Sequence, residues 1–105
     1  MDTKEDMRCV RIEVVPWLSY RMAGTEDPMD VYVSVEGSLT LTGVLTRLCS
    51  EHPKLASIVL VPGRLVITPQ VVLLVNHRAF ELAGGYEMTI EPGDTLTFVP
   101  AYQGG

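Results

Sequence analysis

The chemistry open to this chain is concentrated at its end. The last two residues are Gly104-Gly105, preceded by Pro100-Ala101-Tyr102-Gln103. A carboxylate is a poor electrophile until a nucleotide activates it as an acyl phosphate anhydride, and that activation needs a closed site. A glycine tail has no Cβ, so it threads a narrow channel and takes backbone angles closed to other residues. Gly105 would supply the reacting carbonyl, while a folded body supplies binding energy at a distance.

The remaining reactive side chains give less. Cys9 and Cys49 are the only cysteines. Two sulfurs cannot complete a four-ligand metal or iron–sulfur site, and His52 and His77 show no ligand spacing with them. Both cysteines read as small buried hydrophobes, Cys49 within a helical pattern. Asp94, in Pro92-Gly93-Asp94-Thr95, reads as a turn former whose side chain bonds nearby backbone. His77 reads as a solvated turn residue. Trp17 and Tyr20 form either an interaction patch or a core anchor. No Ser/His/Asp or paired-carboxylate set occurs, so a stand-alone hydrolase has no support.

The elements that must position the tail follow from hydrophobic spacing. Val10, Ile12 and Val14 alternate with Arg11 and Glu13, which predicts a half-buried strand over Cys9 to Val15, ended by Pro16. Trp17 to Met22 has room for a short helical turn. Gly24 to Asp30 is turn-rich. Val31, Val33 and Val35 alternate with Tyr32 and Ser34 as a second strand, making a long-looped pair with the first. Ser38 to His52 is the clearest helix: Leu41, Val44, Leu45 and Leu48 fall on one face. Ser38 or Thr40 caps its start, and Pro53 marks its end.

Lys54 to Val59 is a second short helix or an irregular bridge. Leu65 to Thr68 is a short extension. Val71 to Val75 is an unbroken apolar run, which predicts a central strand buried on both faces. Asn76-His77 is a hairpin turn, since Asn tolerates positive φ, and Ala79 to Leu82 is its short partner. Leu96 and Phe98 alternate with Thr97 and Val99 as a final strand. The order implies an α+β fold, a mixed sheet covered by one main helix.

Composition bounds the class. The chain has 105 residues, 47% hydrophobic and 20% charged, which suits one globular domain rather than a disordered segment. Eight Lys and Arg against thirteen Asp and Glu leave a formal charge of -5. That balance argues against nucleic acid, whose phosphates require a basic stripe, and favours basic-surfaced protein partners. Met1 to Asp6 is polar and acidic with no apolar signal core after it, and no apolar run is long enough to span a bilayer. The expectation is a cytoplasmic protein that does not engage membranes.

Taken together, these segments resemble a known family. Pro92-Gly93-Asp94 and Phe98-Val99-Pro100-Ala101 before Gly104-Gly105 are similar to the end of the MoaD/ThiS family of ubiquitin-like sulfur carriers, above all the small subunit of molybdopterin synthase. Val75-Asn76-His77-Arg78 resembles the family's Val-Asn-Gly-Arg hairpin, with His77 in place of the glycine. Gly63-Arg64-Leu65, Thr40 to Leu45, and Leu18 with Gly24 fall where the family has matching segments.

The resemblance implies a β-grasp (ubiquitin-like) fold over residues 9–105 with a projecting Gly-Gly tail, and a flexible segment over 1–8. It implies a carrier rather than an enzyme. A ubiquitin-activating-type enzyme using ATP and Mg²⁺ would adenylate Gly105, and a sulfur donor protein would convert it to a thiocarboxylate. No cofactor would be bound permanently. Gly104 would let the tail enter partner sites, and Pro100, Ala101, Tyr102 and Gln103 would line its path. Val99 would be an apolar contact for the partner. A molybdopterin synthase large subunit would receive the sulfur. Two further readings stay open: a ubiquitin-like modifier joined through Gly105 to lysines, or a carrier serving thiamin, tRNA thiolation or cysteine synthesis. A plain β-grasp interaction module with an incidental Gly-Gly end is the bland alternative.

Overall fold

The structure, a computed structural model, describes residues 8–101. Strand β1 (Cys9–Val14) leads into helix α1 (Pro16–Ala23) and strand β2 (Met29–Ser34). The two-residue β3 (Leu39–Thr40) precedes helices α2 (Leu41–Glu51) and α3 (Pro53–Val59). Then come β4 (Val71–Val75), β5 (Arg78–Ala79), α4 (Phe80–Ala83), a 3₁₀ turn (Gly85–Glu87), β6 (Thr89–Ile90) and β7 (Thr95–Pro100).

Local signals account for the boundaries. Pro16 and Pro53 sit in the first turns of α1 and α3, where a missing N–H is harmless. Gly24 closes α1 in the left-handed region, at φ 74°, with its N–H on the Tyr20 carbonyl. Thr40, not Ser38, caps α2: its hydroxyl accepts from the Gly43 N–H at 3.1 Å. Asn76 and His77 both take positive φ, 50° and 72°, the pattern of a type I′ hairpin.

The main sheet has the order β2-β1-β7-β4-β5. β1 and β7 run parallel, and the other pairs are antiparallel. β3 and β6 form a separate two-stranded ribbon. Val10, Ile12 and Val14 of β1, Leu73 of β4, and Leu96 and Phe98 of β7 lie on one face. They join Leu41, Val44, Leu45 and Leu48 of α2 in a single buried cluster. This mixed sheet with its helical cover is the ubiquitin-like β-grasp fold.

Three expectations need correction. The central strand is β7, not β4. β4 buries Val71, Leu73 and Val75 under the helices but leaves Val72 and Leu74 half-buried, because these two point to the opposite face. Ala79 to Leu82 is not a strand: after Ala79 the chain turns into α4, which buries Phe80 edge-on against Tyr86, with ring centroids 5.0 Å apart. Leu65 to Thr68 supplies only an isolated bridge, Leu60 to Ile67. The main helix α2 is joined by α3, which buries Leu55, Ala56 and Val59, and by α1, which buries Leu18.

Candidate functional site

β7 leads directly to the tail, and the fold holds it at both ends. At its start, Asp94 ties two turns together. Its carboxylate accepts from the Glu91 N–H at 2.8 Å and from the Asn76 side-chain amide at 3.1 Å. The Asn76 side-chain oxygen accepts from the Thr95 N–H at 2.9 Å. Asp94 is therefore the turn former its sequence context indicates, and it also reaches the β4–β5 hairpin. His77 is exposed in that hairpin.

At its far end, β7 outlasts its parallel partner. The β1 register stops at Glu13 opposite Thr97. The carbonyl of Phe98 then accepts from the Trp17 indole N–H at 3.2 Å. Trp17 packs half-buried on the core, so it anchors the strand, whereas Tyr20 is 61% exposed. One residue past β7, the Ala101 N–H donates to the Gln70 carbonyl at 3.0 Å. The backbone is thus fixed through Ala101. Tyr102, Gln103, Gly104 and Gly105 lie outside the described residues. Four residues reach at most about 14 Å, so any site that receives Gly105 must come within that distance of Ala101.

Strand pairing defines the open face of the sheet beside Ala101. Side chains opposite one another in register share a face. On the face away from the helices, Val99 stands opposite Val72, Thr97 opposite Leu74 and Glu13, and Arg11 opposite Thr95 and Tyr32. Val72, Leu74 and Val99 are half-buried and make an apolar strip beside the exit of the tail. Val99 lies on this open face, and Pro100 pairs with Val71 at the end of β7.

The other half of this face is polar. Arg11 pairs with Glu13 at 3.2 Å and with Asp30 at 3.5 Å. Glu13 also accepts from the Thr97 hydroxyl at 2.8 Å, which satisfies the buried threonine in the central strand.

The helical side carries two features the sequence did not signal. Cys49 is exposed rather than buried, because it follows Leu48 onto the solvent side of the α2 stripe; Cys9 is half-buried, and no disulfide joins them. Cys49 lines a mostly apolar groove of about 370 Å³ with Ala56, Leu60, Val61, Arg64 and Leu65. At the end of α2, Glu51 accepts from the Ser34 N–H at 3.1 Å and from its hydroxyl at 2.5 Å. The Ser34 hydroxyl is the main reason the Glu51 carboxyl sits below its ordinary pKa. The Ser34 N–H, Arg47 and His52 add to this, and partial burial opposes it. Among the described residues, no cluster of His, Cys, Asp and Glu could hold a metal ion, and no helix is long and apolar enough to cross a membrane.

Comparison with known proteins matches this architecture. SAMP1 from Haloferax volcanii superposes with a TM-score of 0.66 at 26% identity, covering 92% of this chain and 99% of that one. SAMP1 from Methanosarcina acetivorans, a small archaeal modifier protein, gives 0.67 at 21%, over 94% and 98%. CysO from Mycobacterium tuberculosis gives 0.65 at 22%, over 89% and 99%. No curated protein matches the chain in sequence. The family model of Urm1 (Ubiquitin related modifier) matches residues 10–105, the strands, the open face and the Gly-Gly end together, and the chain belongs to that family.

Proposed function

We propose that this chain is a carrier whose terminal Gly105 is activated by a larger partner and then bears sulfur. The supporting observation is the conjunction of a Gly-Gly end with a backbone fixed through Ala101 beside an apolar strip. In the proposed cycle the Gly105 carboxylate attacks the α-phosphorus of ATP held with Mg²⁺ by a ubiquitin-activating-type enzyme, and pyrophosphate leaves. Sulfide from a sulfur donor then attacks the acyl-adenylate carbonyl, AMP leaves, and a thiocarboxylate remains on Gly105. The chain binds, positions and presents; the partner supplies the catalytic groups. Val99 and Pro100 contact the partner, Ala101 to Gln103 line the path, and Gly104 passes the narrowest point.

The receiver in this reading is a large subunit holding a pterin precursor, as in molybdopterin synthesis. Membership in a ubiquitin-related modifier family favours a second outcome from the same adenylate. A lysine amine would attack instead of sulfide, leaving an isopeptide bond. Thiamin, tRNA thiolation and cysteine synthesis are other destinations for the same thiocarboxylate.

Intact-mass spectrometry after incubation with ATP, sulfide and candidate activating enzymes tests the reading. The expected result is exchange of one oxygen for sulfur, localised to Gly105. No exchange with any such enzyme overturns the carrier. Isopeptide-linked conjugates without any thiocarboxylate establish the modifier instead.

A further inference from the structure

Among the described residues the outer edge of the sheet is β2, six residues long; the opposite edge strand, β5, has two. A free edge of that length invites strand addition by another chain. In an antiparallel strand the N–H and C=O groups of one residue point to the same side, and successive residues alternate sides. The Val35 N–H faces inward to the Arg8 carbonyl at 2.8 Å. Asp30, Tyr32 and Ser34 therefore face outward. An incoming strand needs these three residues.

Two of their groups are already taken. Glu51 accepts the Ser34 N–H at 3.1 Å, braced by the Ser34 hydroxyl at 2.5 Å and by Arg47 one turn back at 3.7 Å. His52 Nε2 lies 2.8 Å from the Tyr32 carbonyl. A carbonyl only accepts, so Nε2 carries the proton. Glu51 is the last residue of α2 and His52 follows it as the C-cap, seventeen and twenty residues from their targets. His52 is also fixed through its backbone: its N–H bonds the Leu48 carbonyl, and its own carbonyl accepts from Ala56.

We propose that Glu51 and His52 form a latch that occupies the pairing groups of the β2 edge and keeps a second copy of this chain from adding to it. The edge is self-complementary once opened. An antiparallel pair centred on Tyr32 sets tyrosine against tyrosine and Asp30 against Ser34, with no like charges opposed. Such pairing would join two sheets edge to edge. The latch leaves the open face and the tail as the surfaces available to partners.

The unmodified protein provides the first test. The Ser34 amide, on an edge that otherwise faces solvent, should exchange its hydrogen at least about tenfold more slowly than the Asp30 amide. Glu51→Ala should remove that protection. A Ser34 amide as fast as Asp30 in the unmodified protein overturns the latch.

The second test is the solution mass of Glu51→Ala/His52→Ala by light scattering or sedimentation, with circular dichroism to verify folding. The double variant should dimerise at concentrations where the parent is monomeric. Adding Tyr32→Pro, which removes an outward N–H and no internal ladder bond, should restore the monomer. A folded double variant that stays monomeric overturns the proposal, as does a dimer indifferent to Tyr32→Pro. If the double variant does not fold, the exchange result decides.

Discussion

Asp94→Ala separates a turn-building carboxylate from a chemical one. The side chain makes two bonds, to the Glu91 N–H at 2.8 Å and to the Asn76 amide at 3.1 Å. Both partners lie at the surface, so each is rehydrated when the carboxylate is removed, and neither becomes a buried orphan. At about 1 kcal/mol for each net hydrogen bond, the loss is about 2 kcal/mol. For a domain of this size that lowers the melting temperature by on the order of 10 °C. Asp94→Asn keeps an acceptor for Glu91 but opposes one amide to another at Asn76, so it should lose about half as much. Calorimetry or a urea titration reads the stability, and mass spectrometry reads sulfur loading well below the melting point. The expected result is lower stability with intact loading. Unchanged stability with abolished loading would place Asp94 in the chemistry and refute the reasoning.

Three further outcomes follow from the same geometry. Val99→Asp puts a charge on the half-buried open strip; the fold should survive, and binding to the activating enzyme, read by calorimetric titration, should fall by a factor of ten or more, about 1.4 kcal/mol. Deleting Tyr102 and Gln103 shortens the reach beyond Ala101 by about 7 Å, so thermal stability should hold while sulfur loading is lost. Glu51 has a folded pKa below its unfolded one. Its contribution is therefore complete above the unfolded value and disappears as pH falls through the folded one. The stability gap between the parent and Glu51→Gln should narrow below about pH 4; a gap that stays constant through acid titration contradicts the lowered pKa.

Periodicity made the largest elements legible. Leu41, Val44, Leu45 and Leu48 mark α2, and every one is fully buried. The alternation of β1 and the Asn76-His77 turn were equally plain, because one face or one backbone angle dictates each. The centre of the sheet was hidden by Thr97. A central strand is expected to look apolar, but this threonine is tolerated because Glu13 accepts its hydroxyl from the neighbouring strand. The apolar run of β4 attracted the central assignment in its place. Phe80 could have continued a strand; in the fold it starts a short helix and packs against Tyr86, six residues on. The roles of Glu51 and His52 depend on β2, far away in sequence, so no local pattern announces them. The Gly-Gly end was legible as a motif, while the strip it accompanies required the register of β4 against β7.

These contacts divide the labour between body and tail. β7 is tied at Asp94 and Thr95 to the hairpin, at Phe98 to Trp17, and at Ala101 to Gln70. A partner that docks on Val72, Leu74 and Val99 therefore gains a fixed reference point, since the backbone beside the strip is already ordered. Gly105 follows Ala101 by four residues, a reach of at most about 14 Å. In the proposed cycle, contact energy from the strip would hold Gly105 within reach of the nucleotide. Weakening the strip should thus lower the rate of activation as well as affinity, whereas a flexible linkage at Ala101 would uncouple the two.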